Sequence, residues 1–372
     1  MVSLYFHIPF CHSKCPYCHF YTLKSTPSLQ TLFSKALFKE FEQKKHLLFG
    51  KSITSIYFGG GTPTQMPSAF YAQLLDLITQ NCTIDNTCEI TIEANPEDLT
   101  KEYAQHLSTS RIHRISFGVQ AFQPHLLNLL GRRAHKNTCI EAIDIAYTSN
   151  IHNISIDLMY EVPNQTVLDF QQSLQHIQTL PITHISIYNL TFEPNTPFKK
   201  RETHLAPLLP KESETIKMLA CLQNLSHMGF KRYEISAFAK PGFESKHNLG
   251  YWTARPFLGF GPSAFSYWNS IRFKNENHLI NYCKNIENNR PTIDFSELLE
   301  KEARIKELLA VQLRTLDGVN LNQFKAQHGS LSKELHGTIQ QLIDQNLLEH
   351  SDRLKLTEKG LDFYDSVAQA II

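Results

Sequence analysis

The chain has 372 residues and a nearly balanced charge, with 36 Lys and Arg against 35 Asp and Glu. Hydrophobic residues make up 42% of the sequence, which excludes an intrinsically disordered chain because disorder requires low hydrophobicity and high net charge. The charge balance also argues against nucleic-acid binding through bulk positive charge. At about 150 residues per domain, the length predicts roughly two domains.

The first two thirds of the chain alternate between short apolar strands and segments of helical periodicity. Strands are predicted at Val2–Ile8, Ile53–Phe58, Glu89–Glu93, Ile112–Val119, Ile154–Tyr160 and His184–Leu190. Helices are predicted at Leu29–Leu48, Ser68–Thr79, Lys101–Leu107, Asn137–Thr148, Val167–Ile177 and Lys211–His227. This alternation indicates a parallel sheet that can close into a barrel or most of one. A doubly wound open sheet fits the periodicity equally well.

The sequence changes character after residue 240, and we predict three units. A barrel core covers residues 1–240, an irregular segment at 241–290 completes the barrel, and a helical, winged-helix-like domain covers 291–372. The last unit reads helix, helix, helix, hairpin and helix, with the hairpin at Leu347–Thr357. Residues 301–372 hold nine Lys or Arg against ten Asp or Glu. They lack the basic surface of a nucleic-acid reader, so a packing or docking role is expected.

The N-terminus and the hydropathy pattern predict the compartment. The first ten residues lack the basic region of a signal peptide, and no stretch approaches the roughly 18 apolar residues of a membrane span. We therefore expect a cytoplasmic protein with at most peripheral membrane association.

Three of the eight cysteines, Cys11, Cys15 and Cys18, form a C-x3-C-x2-C cluster directly after the first strand. The other five are scattered, as expected for buried apolar side chains. A loop with this spacing can hold three irons of an iron–sulfur cluster and leave the fourth iron to a non-protein ligand. A Cys3His zinc site remains an alternative, because three histidines lie nearby. They are His7, His12 and His19.

The loop resembles that of the radical S-adenosylmethionine (SAM) superfamily. The surrounding Tyr5-Phe-His-Ile-Pro-Phe-Cys11 resembles the subfamily of oxygen-independent coproporphyrinogen III oxidase and its relatives, the heme chaperones. The resemblance covers nearly the whole chain. It implies an α/β fold, a partial (β/α)6 TIM-like radical SAM barrel with a smaller C-terminal winged-helix-like α+β module. It also implies that Cys11, Cys15 and Cys18 hold a [4Fe–4S] cluster whose open iron is chelated by SAM.

Several further motifs carry the resemblance at the expected carboxyl ends of the strands. The triple glycine before Thr62 permits close approach of the backbone to a ligand. A carboxylate at the C-terminal end of a barrel strand faces the ligand side. The resemblance implies SAM contacts from Tyr5, Tyr17, Gly60, Gly61, Thr62, Glu93, Gln120, Arg132 and Asp157. The choice of Arg132 over the adjacent Arg133 stays open.

A motif near residue 250 resembles the H-N-x-x-Y-W sequence that is assigned to heme binding in the chaperones. The residues implied as heme contacts are His247, Asn248, Tyr251 and Trp252, with His247 as the expected axial ligand. Histidine is a common proximal heme ligand, and aromatic rings offer flat faces to a porphyrin. An aromatic loop packed on the barrel rim is the alternative.

Two departures from the oxidase favour the chaperone. The oxidase motif continues to a further cysteine where this chain has Phe20, and the oxidase has an N-terminal extension before the loop. The expected function is a heme chaperone that binds a [4Fe–4S] cluster, SAM and heme and delivers heme to an acceptor protein, with an unidentified electron donor. A coproporphyrinogen III oxidase is the alternative, and a zinc-bound structural protein a more distant one. No catalytic residue is assigned, and enzyme activity is left open.

Overall fold

The computed structural model describes residues 1–372, and six parallel strands form the centre of a 12-stranded sheet. These strands are β1 (Val2–Ile8), β2 (Ser52–Gly60), β3 (Thr83–Ala94), β4 (Arg114–Gln120), β5 (Asn153–Tyr160) and β6 (His184–Asn189). Their order in the sheet follows the chain without reversal, which excludes the doubly wound alternative. Because β1 and β6 are not neighbours, the strands form an open barrel. The predicted partial (β/α)6 barrel is confirmed.

Helices connect the strands. They are α1 (Pro27–Lys44), α2 (Ser68–Asn81), α3 (Lys101–Thr109), α4 (Pro124–Leu129), α5 (Lys136–Thr148), α6 (Val167–Ile177) and α7 (Glu212–Cys221). The predicted helix Leu29–Leu48 ends at Lys44 and continues as a 3₁₀ turn, Lys45–Leu48. The predicted helix Lys211–His227 is likewise interrupted, and its second piece is Asn224–His227. Short helices at Pro197–Lys200 and Glu202–Leu205 lie in the long connection after β6.

Side chains alternate across the barrel wall. In β1, Leu4 and Phe6 belong to an apolar core of 59 buried residues. The intervening Ser3, Tyr5 and His7 hydrogen-bond to groups inside the barrel. Buried parallel strands are usually apolar on both faces, so this alternation indicates a polar lumen.

Residues 241–290 are regularly structured, and the expectation of an irregular segment there is wrong. Two short strands beside β6 precede this region, β7 (Lys231–Glu234) and β8 (Ala237–Ala239). The elements that follow are α8 (Lys246–Trp252), β9 (Phe257–Phe260), β10 (Phe265–Trp268), β11 (Ile271–Asn275), α9 (Leu279–Glu287) and β12 (Ile293–Leu298). Strand β9 pairs in parallel with β1 and extends the sheet.

The glycines in this region serve close chain packing. A Cβ on Gly259 would lie 2.0 Å from the carbonyl oxygen of Phe265, and one on Gly261 would lie 2.6 Å from that of His7. Gly261 also has a φ of +94°, which a residue with a side chain rarely adopts. These glycines therefore lie where two chain segments approach closely. Sequence composition alone does not distinguish such positions from loops.

The C-terminal module has its own apolar core of 16 buried residues. Its elements are α10 (Lys301–Gln312), α11 (Leu321–His328), α12 (Lys333–Asp344), β13 (Leu348–His350), β14 (Leu354–Leu356), α13 (Glu358–Asp362) and α14 (Tyr364–Ile371). A bridge from Val319 to Leu354 adds a third, very short strand to the hairpin. This is the predicted winged-helix-like order. None of the protein's helices combines the length and apolarity that a membrane crossing requires.

Candidate functional site

A cavity of about 560 Å³ lies at the carboxyl ends of the six strands. Four of those strands contribute predicted residues directly, from Gly60 at the end of β2 to Asp157 within β5. The predicted residues that line the cavity are Cys11, Cys15, Cys18, Tyr17, Gly60, Gly61, Thr62, Glu93, Gln120, Arg132 and Asp157. The fold thus brings together the cysteine cluster and every predicted SAM contact except Tyr5.

The three cysteines are partly buried and receive hydrogen bonds from the cavity wall. Thr62 Oγ1 donates to Cys11 Sγ over 3.4 Å, and Arg132 Nη1 donates to Cys15 Sγ over 3.6 Å. Burial raises the pKa of the Cys11 and Cys18 thiols, which favours their protonated form. Iron would bind them as thiolates and displace these protons.

The spacing of the thiols fits a cluster better than a single ion. No three Cys, His, Asp or Glu side chains converge closely enough to hold one metal ion. A four-iron cluster takes each thiolate at a different iron and needs no such convergence. His7, a candidate zinc ligand, is buried, and its ring nitrogens pair with the Tyr5 hydroxyl at 3.1 Å and the Tyr21 carbonyl at 3.0 Å.

Gly60 and Gly61 form a cradle that has no room for side chains. Gly60 has a φ of +106°, and a Cβ there would lie 2.4 Å from His7 Nδ1. A Cβ on Gly61 would lie 2.6 Å from the carbonyl oxygen of Phe10. Packing against His7 and Phe10 therefore requires glycine at both positions, and the backbone of this turn lines the cavity.

Two carboxyl groups, Glu93 and Asp157, lie at the base of the cavity. Glu93 Oε1 accepts a hydrogen bond from the Tyr57 hydroxyl at 2.8 Å, and its Oε2 accepts one from the Gly60 N–H at 3.1 Å. Burial raises the pKa of Glu93 to about 7 and that of Asp157 to about 6. Removing such groups from water disfavours their charged form, and a cationic ligand would reverse that effect.

Arg132 supplies the cationic side of the cavity. Its Nη2 donates to Asn95 Oδ1 at 2.8 Å and to the Gly118 carbonyl, whereas its buried Nε has no hydrogen-bond partner. The guanidinium group lines the cavity, and its planar, permanently charged donors suit a ligand carboxylate. Arg133 lies outside the cavity and pairs with Glu97 at 3.3 Å and Asp98 at 2.9 Å. The geometry thus distinguishes the two arginines.

Gln120 reaches the cavity through an unusual backbone conformation. Its φ is +70°, and the β4–β5 register shifts between Gly118 and Gln120. A left-handed residue other than glycine is uncommon, and such strain concentrates at functional sites. A Cβ on Gly118 would lie 3.1 Å from Gln120 Nε2, so the glycine leaves space for the amide.

Several cavity residues were not among the predicted contacts, and the polar ones include Asn95, Ser116 and Tyr188. Asn95 Nδ2 donates to Thr62 Oγ1 at 2.9 Å while its Oδ1 accepts from Arg132, so this side chain ties the glycine turn to the arginine. A polar residue directly after a strand end was the available signal for Asn95. Ser116 and Tyr188 occupy lumen positions of β4 and β6, which strand periodicity could have indicated.

Tyr5 lies beneath the cavity and does not line it. Its hydroxyl pairs with His7 Nδ1, and its ring stacks on Tyr57 with centroids 6.3 Å apart. Tyr57 in turn holds Glu93. A direct SAM contact from Tyr5 therefore remains a prediction that the cavity geometry does not favour.

The predicted heme motif occupies helix α8, which closes the amino-terminal end of the barrel. His247 is 1% exposed; its Nδ1 lies 2.9 Å from Ser55 Oγ, and its Nε2 lies 2.9 Å from the Tyr251 hydroxyl. Burial lowers the pKa of His247 to about 3. Neither ring nitrogen is free to bind iron in this arrangement, so heme ligation by His247 would require α8 to move.

The remaining motif residues have structural contacts. The backbone N–H of Asn248 donates to Ser245 Oγ, which caps α8. The ring of Trp252 faces the Arg314 guanidinium at 4.3 Å, and the Tyr364 ring faces the same cation at 5.1 Å. This contact joins α8 to the C-terminal module. Heme contacts by Asn248, Tyr251 and Trp252 also stay predictions.

Comparison with known proteins agrees with this fold. Residues 5–177 match the radical SAM superfamily, and residues 299–363 match the HemN C-terminal domain. The chain therefore belongs to the class of radical SAM proteins. The "Heme chaperone HemW" of Lactococcus lactis is 32% identical over 373 residues, which cover 100% of this chain and 97% of that protein. The HemW of Bacillus subtilis is 33% identical over 97% of this chain and 96% of its own length. The chain thus belongs to the HemW family.

Among solved structures, the coproporphyrinogen III oxidase HemN from Escherichia coli matches with a TM-score of 0.86. The match covers 100% of this chain and 89% of that one, at 22% sequence identity. This likeness supports the fold.

Proposed function

We propose that the protein is a heme chaperone of the radical SAM type, which binds a [4Fe–4S] cluster and SAM in the cavity and passes heme to an acceptor protein. The observation that supports it most directly is the convergence of Cys11, Cys15 and Cys18 with the strand-end residues in one cavity. The delivery of heme comes from the names of the relatives, whose lengths this chain nearly covers.

The cavity offers each part of SAM a suitable partner. The three thiols would hold the cluster, which when bound supplies an open iron and one-electron chemistry. Arg132, which lines the cavity, would bind the SAM carboxylate through its guanidinium group. Glu93 and Asp157 would receive the amino group and the ribose, and Gly60 and Gly61 would allow the ligand against bare backbone. Thr62, Gln120 and Tyr17 would complete the wall.

The protein's own groups would also keep the cluster dry and correctly placed. Asn95 fixes both Thr62 and Arg132, each of which donates to a cysteine sulfur. Hydrogen bonds to sulfur tune a cluster's potential, so these two donors would stabilise its reduced, more negative state. Tyr17 packs against Phe198 with ring centroids 6.2 Å apart and shields this side of the loop.

Phe20 separates the proposed chaperone from the oxidase. It lines the mouth of the cavity, is 50% exposed and lies where the oxidase motif has a cysteine. An exposed apolar ring beside the cluster loop suits contact with a flat apolar ligand or a partner protein.

We further propose that the C-terminal module is a separate unit, because its apolar core is separate from that of the barrel. Residues 241–290 share the barrel core, and the module begins after β12, which ends at Leu298 and pairs with β11. A reducing compartment such as the cytoplasm, with at most peripheral membrane contact, suits the eight free cysteines. The electron donor and the heme acceptor would be separate proteins, and no nucleic-acid partner is proposed.

The test is a paired assay on the anaerobically reconstituted protein. One arm supplies SAM, a reductant and coproporphyrinogen III and measures protoporphyrinogen by chromatography. The other loads heme and measures its transfer to an apo-cytochrome by absorbance. We expect heme transfer without porphyrinogen turnover. Formation of protoporphyrinogen would make the protein an oxidase, and failure of both arms would reject the chaperone assignment.

A further inference from the structure

Buried groups under the cavity connect the H-N-x-x-Y-W helix to the carboxyl group of Glu93. The imidazole of His247 lies flat against the ring of Tyr57, with centroids 4.8 Å apart and an interplanar angle of 27°. The hydroxyl of Tyr57 donates to Glu93 Oε1 at 2.8 Å. His247 is therefore one aromatic ring away from a carboxylate that lines the cavity.

His247 is itself held rigidly. Ser55 and Tyr251 occupy its two ring nitrogens at 2.9 Å each, and Glu89 Oε1 accepts its backbone N–H at 3.0 Å. Burial keeps the imidazole neutral, because it lowers the pKa of His247 to about 3. A neutral, doubly bonded imidazole acts as a fixed surface for the ring that stacks on it.

A second path runs from the same aromatic group to the cysteine loop. Tyr5 stacks on Tyr57 and pairs through its hydroxyl with His7 Nδ1. His7 Nε2 donates to the Tyr21 carbonyl, three residues beyond the last cysteine of the cluster, and its ring fills the space under Gly60. The layer of His247, Tyr57 and Tyr5 thus supports both the glycine turn and the cysteine loop from below.

We propose that His247 is a positioning residue for the SAM site, which acts through the stacked Tyr57 ring on the carboxylate of Glu93. The inference rests on the proposed binding of SAM in the cavity. It assigns the histidine of the H-N-x-x-Y-W motif to SAM affinity and not to heme ligation. Without the imidazole, the Tyr57 ring gains room to turn, and its hydroxyl no longer fixes Glu93 against Gly60.

The barrel contains a matched control for this experiment. His184 is also fully buried between a serine and a tyrosine, with Nδ1 2.8 Å from Ser155 Oγ and Nε2 2.9 Å from the Tyr233 hydroxyl. Its only ring neighbour within stacking range is Tyr233, which does not line the cavity. Replacing His184 perturbs the barrel to a similar degree without touching Tyr57.

The experiment measures the dissociation constant of SAM by equilibrium dialysis on the full, anaerobically reconstituted chain, with thermal midpoints and heme titrations of the same samples. His247→Ala and Tyr57→Phe are each expected to weaken SAM binding roughly 10-fold, the size of one hydrogen bond to a charged group. The double variant should bind SAM no more weakly than the single variant with the larger loss, because both changes act on one contact. His184→Ala should stay within about 2-fold of the wild type, and heme affinity should not change in His247→Ala.

Four results would overturn the inference. Wild-type SAM affinity in His247→Ala, an equal loss in His184→Ala, or multiplicative losses in the double variant would overturn the inference. So would loss of heme binding in His247→Ala with SAM affinity intact. If His247→Ala does not fold, Ser55→Ala removes only one hydrogen bond to the imidazole and should still weaken SAM binding. A wild-type protein that binds no SAM would instead reject the proposed function.

Discussion

Replacing Glu93 by Gln should stabilise the ligand-free protein and weaken its affinity for SAM. Burial raises the pKa of Glu93 from 4.5 to about 7, and each unit corresponds to about 1.4 kcal/mol. The charged group therefore costs roughly 3 kcal/mol of folding free energy above pH 7. Gln can still accept from Tyr57, but its amide N–H₂ would face the Gly60 N–H, which costs roughly 1 kcal/mol. The net gain at pH 8 is about 2 kcal/mol.

The pH dependence gives this prediction its sign. Because the pKa of Glu93 is raised in the folded protein, the free energy of unfolding falls as pH rises from the unfolded pKa of 4.5 to the folded pKa of about 7. Glu93→Gln should therefore unfold at a higher temperature than the wild type at pH 8, and its advantage should disappear near pH 4.5. Differential scanning calorimetry at both pH values measures the difference.

The control for Glu93→Gln is Glu97→Gln, which removes a carboxylate that pairs with Arg133 at the edge of the site. This variant should show no gain in stability at pH 8. If Glu93→Gln is no more stable than the wild type at pH 8, or if its advantage persists at pH 4.5, the argument from burial is refuted.

Three further predictions concern the cavity and a buried carboxylate on α1. SAM affinity should fall as pH decreases from 8 to 6, because Glu93 and Asp157 take up protons with pKa values of about 7 and 6; calorimetric titration with a flat pH profile would contradict this. Alanine at Cys11, Cys15 or Cys18 should abolish the cluster in iron and sulfide analysis, whereas Cys88→Ala should retain it. Glu40→Ala should lower the free energy of unfolding by roughly 3–5 kcal/mol in calorimetry, because three buried donors lose their hydrogen-bond acceptor. These donors are the Gly261 N–H, Asn275 Nδ2 and the Tyr282 hydroxyl, each 2.7 Å from the fully buried carboxylate; an unchanged thermal midpoint would show that the core adapts.

Strand and helix positions in the barrel were predictable because apolar periodicity is a local property. β1 has the predicted bounds, Val2–Ile8, and α6 has the predicted bounds, Val167–Ile177. The start of α6 is also encoded locally, since Thr166 and Asp169 form a capping box. Whether the sheet closes into a barrel was not predictable from periodicity, because periodicity does not determine the order of the strands in the sheet.

The failures concern non-local packing. The resemblance named Arg132, but the residues alone could not exclude Arg133, since the choice depends on the turn that directs one guanidinium towards Gly118 and the other towards Asp98. Sequence also could not place the H-N-x-x-Y-W helix. The partner of His247 is Ser55, almost two hundred residues away, and a motif that fits a ligand site equally fits a buried support.

The polar lumen has two levels, which differ in whether their ionisable groups line the cavity. In the lower level, His247 and His184 each have both ring nitrogens hydrogen-bonded to a serine and a tyrosine. In the upper level, Glu93 and Asp157 retain raised pKa values, and Arg132 Nε has no partner. Ionisable groups whose pKa values are shifted and that line a cleft are typical of ligand sites. By that criterion the ligand site lies at the carboxyl ends of the strands, where Glu93, Asp157 and Arg132 line the cavity and His247 does not.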